Sequence, residues 1–264
     1  MTVWLALLLG VVQGLCEFLP VSSSGHLVLL QNVFGIEEGA LFFTTMLHFG
    51  TLIAVFIVYW RQIWAMVRHP IQKKVGMLLL ATFVTTAIAF LFKDVFEASY
   101  GGGLLGFGFL LTAVILLITE RVPVGKKSAR ELKIPGALGI GLMQGVAIFP
   151  GVSRSGSTIA GSCFFGLSRK EAADFSFLLS IPAILGSVVL EMKDVITEGV
   201  GQIDWLPVIV GVLAAAISGY FAIRLMLRVI KKKKLMGFAV YVAVLGVLVL
   251  LDQFVFHIFF ANPF

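Results

Sequence analysis

Charged side chains are scarce in this sequence. Asp, Glu, Lys and Arg make up 13% of its 264 residues, about half of the roughly 25% found in soluble domains. Hydrophobic residues make up 59%, and the mean hydropathy is +1.04. This composition excludes a soluble enzyme and predicts an integral membrane protein. Two cysteines are too few for a disulfide framework.

The basic residues are few but clustered. Of the 20 Lys and Arg residues, 17 lie in four short segments: Arg61–Lys74, Arg121–Lys133, Arg169–Lys170 and Arg224–Lys234. Such clusters mark the cytoplasmic connections of membrane proteins. The distribution of the basic residues therefore explains the net charge of +6 by membrane topology and contacts with membrane lipids. We expect no nucleic-acid partner.

Six apolar segments are long enough to cross a bilayer of about 30 Å. They are Ala40–Trp60, Val75–Phe92, Tyr100–Thr119, Ala172–Leu190, Trp205–Ile223 and Leu235–Phe259. The basic connections 61–74, 121–133 and 224–234 are predicted to be cytoplasmic. The acidic or mixed connections Glu37–Glu38, Lys93–Glu97 and Glu191–Asp204 are predicted to lie outside.

Two further apolar stretches, Gly10–His26 and Gly141–Thr158, are interrupted by polar residues. After a shift of 131 positions, eight of the 17 residues in the first stretch coincide with the second without a gap. This is an internal repeat of about half the chain. The aligned copies differ where chemistry is expected: Glu17 aligns with Ile148, Ser23 with Arg154, and His26 with Ser157.

Neither polar stretch fits a complete crossing. The apolar return His26–Gly35 has ten residues, or about 15 Å as helix, and Ile159–Leu167 has nine. Both stretches therefore predict re-entrant helix–loop–helix hairpins. The first is followed by acidic residues and enters from outside, whereas the second is flanked by basic residues and enters from the cytoplasm.

The predicted fold is an all-α integral membrane protein with an inverted-topology repeat. It has six transmembrane helices and two re-entrant hairpins whose polar tips meet near the midplane. We expect a single membrane domain, 1–264. Repeat one covers 1–119 and repeat two covers 134–259, joined by a cytoplasmic loop, 120–133.

The second tip is suited to a phosphate group. A guanidinium, hydroxyls and a helix N-terminus together favour phosphate oxygens. Two alternatives stay open: Ser153 or Ser155 caps a helix, and Arg154 forms an internal salt bridge with Glu17. The expected phosphate-binding residues of both tips are Ser22, Ser24, Gly25, Ser153, Arg154, Ser155 and Thr158.

The first tip is suited to a cation and to catalysis. Gln13 and Glu17 share one helical face and can offer oxygens to Mg²⁺ or Ca²⁺; the alternative is a structural hydrogen-bonded pair. Ser23 and His26 are suited to nucleophilic and proton-transfer roles. His48, in the first full span, is expected at most to support the site.

Two motifs carry a family resemblance: Gln13-Gly14-x-x-Glu17-Phe18-Leu19-Pro20-x-Ser22-Ser23-Ser24-Gly25-His26 and Pro150-Gly151-x-Ser153-Arg154-Ser155-x-x-Thr158. Over essentially its full length the sequence resembles the bacterial undecaprenyl pyrophosphate phosphatases of the BacA/UppP type. The resemblance implies hydrolysis of a C55 lipid diphosphate to the monophosphate on the outer face of the cytoplasmic membrane, aided by a divalent cation. It also implies carrier recycling for peptidoglycan synthesis, and bacitracin resistance.

The resemblance also implies roles for individual residues. Glu17 and Gln13 would hold the metal, His26 and Ser23 would act in catalysis, and Arg154 would bind the phosphates. Many members carry glutamate where this chain has Gln13, so the cation site here has one carboxylate. The sequence leaves open whether His26, Ser23 or water is the nucleophile, and whether the chain forms a homodimer. A transporter of polyprenyl phosphate is the alternative function, because inverted repeats with broken helices are typical of transporters.

Overall fold

The computed structural model describes residues 1–36, 40–198, 204–232 and 235–260. Eleven α-helices lie in these ranges: α1 Val3–Phe18, α2 Ser23–Phe34, α3 Ala40–Arg68, α4 Lys73–Leu91, α5 Lys93–Ser99, α6 Leu105–Arg121, α7 Ile134–Val146, α8 Arg154–Phe164, α9 Arg169–Glu198, α10 Trp205–Val229 and α11 Met236–Leu251. Two 3₁₀ turns and a π-helical turn, Asp252–Phe256, complete the regular structure of these ranges, which contain no β-strand. The predicted all-α class is confirmed.

Five of the described helices are long and apolar enough to cross a membrane. The corresponding segments, of which the last two extend through the turns that follow α10 and α11, are Leu41–Arg68, Lys73–Leu91, Arg169–Leu190, Trp205–Lys232 and Met236–Phe256. The sixth predicted span, Tyr100–Thr119, corresponds to α6, which begins only at Leu105 because Gly102 has a φ of +92° and ends the preceding helical turn. At 17 residues α6 is about 26 Å long, so the sixth crossing stays a prediction.

Some predicted connections lie outside the described residues. Glu37–Glu38, which supports the external entry of the first hairpin, is among them, and so are positions 199–203 of the Glu191–Asp204 connection. The sidedness of these two connections, like that of all the others, stays a sequence-based prediction.

Both polar stretches form pairs of short helices separated by a break. Helix α1 has 16 residues and α2 has 12, and the second pair, α7 and α8, has 13 and 11. Each is shorter than the roughly 20 residues that a crossing needs. The breaks fall at the prolines and glycines of the two motifs, Pro20 and Pro150–Gly151, where a helix is disfavoured.

The offset of 131 residues found in the sequence also relates helix starts. It links Val3 to Ile134, Ser23 to Arg154, and Leu105 to Met236, the first residues of α1 and α7, α2 and α8, and α6 and α11. The packing crosses between the two halves of the chain, because α1 packs along α10, α7 along α4, and α6 along α11. Each short helix pair is therefore supported by a long helix from the other half.

Small residues allow α1 to lie very close to α10. Gly10 and Gly14 of α1 face Gly211, Ala215 and Gly219 of α10, a small-xxx-small pattern that membrane helices use for close packing. A Cβ atom on Gly14 would lie 2.7 Å from the backbone nitrogen of Gly219. This contact fixes the helix that carries Gln13 and Glu17.

Candidate active site

Each break ends in a serine that caps the next helix. Ser22 precedes α2 and accepts a hydrogen bond from the Gly25 N–H at 3.3 Å, and Ser153 precedes α8 and accepts from the Gly156 N–H at 3.0 Å. Ser22 has a φ of +69°, a conformation that non-glycine residues seldom adopt and that is concentrated at functional sites. Ser153 is therefore a helix cap, as one of the alternatives from the sequence had it, and Ser22 is a helix cap in the same way.

The two breaks contact each other directly. The Ser155 hydroxyl donates a hydrogen bond to the Leu19 carbonyl at 3.1 Å, although 136 positions separate the two residues. A Cβ atom on Gly25 would lie 2.8 Å from Gly151 Cα, so this approach requires glycine. The tips of both polar stretches consequently form one site.

Helix α6 holds the second break from the side. The Thr112 hydroxyl accepts a hydrogen bond from the Ser153 N–H and donates one to the Gly151 carbonyl, both at 2.8 Å. These bonds satisfy backbone groups that the interrupted helix leaves without partners, as burial requires.

Glu17 is the centre of a buried polar cluster. One carboxylate oxygen, Oε1, forms an ion pair with Arg154 Nη2. The other, Oε2, accepts hydrogen bonds from Ser23 Oγ at 2.5 Å and Gln13 Nε2 at 3.0 Å, and lies 3.6 Å from His48 Nε2. Glu17 is only 6% exposed. These donors therefore take the place of the water molecules that burial removes from the carboxylate.

Arg154 connects this cluster to α9. Its Nη1 donates to the Ser176 carbonyl at 3.4 Å, in addition to the ion pair with Glu17. The Thr158 hydroxyl bonds back to the Arg154 carbonyl at 2.9 Å and lies 2.6 Å from the Ser176 hydroxyl. The described residues thus engage two of the five N–H donors of the Arg154 guanidinium. Because the other donors remain, the ion pair with Glu17 leaves Arg154 able to bind an anion as well.

His26 lies in a separate part of the site. Its Nδ1 is 2.7 Å from the Ser22 carbonyl, and its Nε2 is 2.7 Å from the Tyr241 hydroxyl. Because a carbonyl can only accept, we assign the proton of the neutral ring to Nδ1, so Nε2 accepts from Tyr241. The two rings stack with centroids 5.7 Å apart, and Phe109 packs edge-on at 5.4 Å.

The structure brings some predicted residues together and not others. Gln13, Glu17, Ser23 and Arg154 form one cluster, whereas the side-chain hydrogen bonds of His26 within the described ranges go to Ser22 and Tyr241 and none goes to Ser23. The remaining predicted phosphate ligands all lie directly before α2 and α8 or within the first two turns of these helices: Ser22, Ser24, Gly25, Ser153, Ser155 and Thr158.

Three residues contact the site although the sequence assigned them no direct role in it: His48, Tyr241 and Ser176. His48 was expected only to support it, yet its ring approaches the carboxylate of Glu17. Tyr241 lies 215 positions from His26, and Ser176 contributes a backbone carbonyl. A histidine within a membrane span is itself a signal, whereas no sequence signal marks the other two.

The predicted cation site can be compared with the oxygen atoms that Gln13 and Glu17 offer. Gln13 Oε1 is buried without a hydrogen-bond partner among the described residues, whereas Gln13 Nε2 donates to Glu17. Amide and carboxylate oxygens are the ligand type that Mg²⁺ and Ca²⁺ prefer. Gln144, the aligned residue, has the same unpartnered oxygen but bonds to Thr85 instead of a carboxylate. No group of three His, Cys, Asp or Glu side chains in the described ranges could hold a metal. Glu17 and Gln13 therefore offer a cation two oxygen ligands, and cation binding stays a prediction.

Fold and site together define a multi-pass α-helical membrane protein whose charged cluster is buried where two helix breaks meet. A family model described as "Bacitracin resistance protein BacA" matches residues 6–248. The chain belongs to this family.

Curated relatives extend over almost the whole chain. An undecaprenyl-diphosphatase of Carboxydothermus hydrogenoformans is 45% identical over 251 residues, covering 94% of this chain and 96% of the relative. An undecaprenyl-diphosphatase of Alkaliphilus metalliredigens is 44% identical over 271 residues, covering 95% and 98%. The protein named undecaprenyl-diphosphatase 4 of Bacillus thuringiensis subsp. konkukian is 43% identical over 253 residues, again covering 95% and 98%.

Proposed function

We propose that this protein is an undecaprenyl-diphosphatase, an enzyme that hydrolyses undecaprenyl diphosphate to undecaprenyl phosphate and inorganic phosphate. The observation that carries the proposal is the cluster of Glu17, Arg154 and Ser23, in which Arg154 and Ser23 begin α8 and α2 and Glu17 lies in the last turn of α1. The names of relatives at 43–45% identity support the same reaction. Its product would return to peptidoglycan synthesis, and excess enzyme would confer bacitracin resistance.

The cluster is suited to a diphosphate. Arg154 presents a planar fork that matches two phosphate oxygens, and it is the first residue of α8, where the helix dipole also favours an anion. Ser23 begins α2 in the same way. A diphosphate drawn between these two helix starts would compete with Glu17 for the guanidinium.

This competition would activate Ser23. While Glu17 is paired with Arg154 it is a weak base, and once phosphate oxygens take over the guanidinium its carboxylate can accept the Ser23 proton across the 2.5 Å hydrogen bond. Ser23 Oγ then bonds to the terminal phosphorus, the bond to the bridging oxygen breaks, and undecaprenyl phosphate leaves. Water next cleaves the bond between phosphorus and Oγ, which releases inorganic phosphate and restores Ser23.

A divalent cation, Mg²⁺ or Ca²⁺, would be held by Glu17 and Gln13 together with phosphate oxygens. When bound it supplies positive charge that neutralises the diphosphate. The unpartnered Gln13 Oε1 supports this assignment.

We place the site on the extracytoplasmic side of the bacterial cytoplasmic membrane, in an inverted-topology fold with six crossings and two re-entrant hairpins. The common offset of the helix starts and the crosswise packing of α1 on α10 and α7 on α4 support this architecture. The basic clusters after α3, α6 and α10 support a cytoplasmic location for those connections.

Cysteine labelling tests this topology. In a background with alanine at Cys16 and Cys163, cysteine at the exposed position Lys93 is expected to react with an impermeant thiol reagent added to intact cells. Cysteine at the exposed position Lys126 is expected to react only after the cells are opened. The reverse pattern would contradict both the inverted repeat and the outward-facing site.

Phosphate release separates the enzyme from the transporter alternative. The purified protein in detergent is expected to release inorganic phosphate from undecaprenyl diphosphate in the presence of Mg²⁺ or Ca²⁺. A transporter of polyprenyl phosphate would bind the lipid and release none. Absence of release from well-folded protein with either cation would refute the proposed function.

Lysine at Arg154 is expected to lower kcat/KM at least a hundredfold, or about 2.7 kcal/mol of transition-state stabilisation. Lysine keeps the charge beside Glu17 but loses the planar fork. Arg169→Lys is the matched control, because Arg169 is also a buried arginine at the start of a helix, bound to the Thr119 carbonyl at 2.7 Å. If the well-folded Arg154→Lys enzyme stays within threefold of the unmodified enzyme, Arg154 is only a structural partner of Glu17.

A further inference from the structure

A long apolar groove lies on the outer surface of α3. It has a volume of about 590 Å³ and is lined on α3 by Phe49, Leu52, Ile53, Phe56, Ile57 and Trp60. Leu185 of α9 forms the facing wall. We refer to it as the α3 groove.

The spacing of the lining residues makes the α3 groove a continuous track. They recur every three or four positions, so they share one face of the helix, and the track from Phe49 to Trp60 is about 16 Å long. Leu52, at 2% exposure, forms a buried floor, whereas Ile57 and Trp60 are more than half exposed and form the rim. The groove is thus open along its length to the hydrocarbon around the protein.

One end of the groove, at Phe49, lies next to His48, which belongs to the charged cluster. His48 lies one helical turn before Leu52, on the same side of α3, and its Nε2 is 3.6 Å from Glu17 Oε2. The His48 side chain is 22% exposed, whereas that of Glu17 is 5% exposed, so His48 is the partly accessible member of the cluster on this side of α3. At the other end Trp60 stacks on Trp64, with ring centroids 5.8 Å apart, and tryptophans of this kind mark a membrane–water interface.

We infer that the α3 groove binds the isoprenoid tail of the polyprenyl diphosphate, with the isoprene units nearest the head group against Phe49 and Leu52. This inference rests on the proposed function. The position of His48 between the end of the groove and Glu17 favours this occupant over the acyl chains of bulk lipid, because one molecule can reach both only if it carries an anionic head group on an apolar tail.

The direction of the groove agrees with the side from which the substrate comes. In the proposed topology α3 runs from the extracytoplasmic side inwards, and the tail of an outer-leaflet lipid runs the same way. A substrate whose head group enters the cluster could therefore lay its tail along α3 without reversing it. A lipid from the inner leaflet would have to turn its tail back on itself.

The groove is expected to contribute selectivity more than raw affinity. Moving an apolar tail from lipid hydrocarbon to an apolar protein surface yields little hydrophobic free energy, so packing decides the preference. The methyl branches and double bonds of isoprene units give them a different cross-section from saturated acyl chains, so shape complementarity with the groove decides which chain packs better. A long isoprenoid tail should consequently bind better than a short one that ends before Phe56.

Photocrosslinking tests the occupant without requiring turnover. The probe is a polyprenyl diphosphate of C55 length with a photoreactive group on its tail, added to the protein in phosphatidylethanolamine–phosphatidylglycerol nanodiscs. Adducts are expected on α3 between positions 49 and 60 and on Leu185, and an excess of unlabelled undecaprenyl diphosphate is expected to suppress them. Adducts on other helices, or adducts that the excess lipid does not reduce, would show that only bulk lipid occupies the groove and would overturn the inference.

A matched pair of variants tests the effect on the reaction. Ile57→Trp fills the groove, and Ile217→Trp makes the same change at a lipid-facing position of α10 with nearly equal exposure, 61% against 59%. Ile57→Trp is expected to raise KM about tenfold for the C55 diphosphate and to leave KM for a C5 diphosphate, whose single isoprene unit ends before Ile57, within twofold, whereas Ile217→Trp changes neither.

The two proposals fail in different ways. If the unmodified protein releases phosphate from neither lipid, the proposed function is wrong, and the crosslinking pattern still decides whether the groove holds an isoprenoid. If Ile57→Trp leaves KM for the C55 diphosphate unchanged in an active enzyme, the groove inference is wrong and the proposed function stands.

Discussion

Glutamine at Glu17 is expected to lower the rate of phosphate release at least a thousandfold. The neutral amide removes the negative partner of Arg154 and offers one acceptor where the carboxylate serves Ser23, Gln13 and His48. The variant therefore loses the base for the Ser23 proton and the carboxylate ligand of the cation. Losses of about 10²–10³ are typical when a single stabilising group is removed from an active site, and Glu17 has more than one role.

Stability has to be measured beside activity, because removing one partner of a buried ion pair costs about 3–5 kcal/mol. Asp174→Asn is the matched control: Asp174 is also a buried carboxylate on a membrane helix, held by the Tyr59 hydroxyl at 2.8 Å and by Lys170 at 3.9 Å. We expect it to unfold at a lower temperature yet keep its rate within threefold. A folded Glu17→Gln enzyme with a near-normal rate would show that Glu17 is structural and that the metal assignment is wrong.

Alanine at Ser23 is expected to reduce kcat at least a thousandfold, with thermal stability close to that of the unmodified protein. The change removes the hydroxyl that donates to Glu17 at 2.5 Å and leaves the helix cap at Ser22 intact. Ser187→Ala is the control, since the Ser187 hydroxyl donates to the Ile184 carbonyl at 2.9 Å and lies outside both helix breaks. That variant should keep activity within about fivefold.

A different outcome would identify another nucleophile. If Ser23→Ala keeps activity within threefold and His26→Ala abolishes it, the attacking atom is His26 Nε2, which must first leave the Tyr241 hydroxyl. A trapped phosphoenzyme distinguishes the two, because phosphoserine survives acid and phosphohistidine does not.

Much of the fold could be predicted because membrane insertion depends on local properties. Apolar length locates the long helices, and the 131-residue repeat anticipates the paired breaks at Pro20 and Pro150. Helix ends were harder to predict. The last predicted span, Leu235–Phe259, ends as an α-helix at Leu251 because the following turn is π-helical and the Asp252 carboxylate accepts backbone N–H groups of residues 258–260.

The sequence predicts most residues of the site but not which side chains bind to each other. Both motifs indicate polar groups at membrane depth, and the structure brings Gln13, Glu17, Ser23 and Arg154 together. It gives His26 a partner that no motif contains, Tyr241, because α11 packs along α6 and thereby comes to lie beside the start of α2. Such partners depend on tertiary packing, which the spacing of residues along the chain does not encode.

The hydrogen bond between the two breaks has a consequence for biosynthesis. The Leu19 carbonyl accepts a hydrogen bond from the hydroxyl of Ser155, a residue that the ribosome adds 136 positions later. At roughly 5–20 residues per second, the first break spends about 7–27 s in or beside the membrane before its partner exists. During that interval its polar backbone needs water or the insertion machinery as a substitute, so the first half of the chain can complete its insertion only after the second half has been translated.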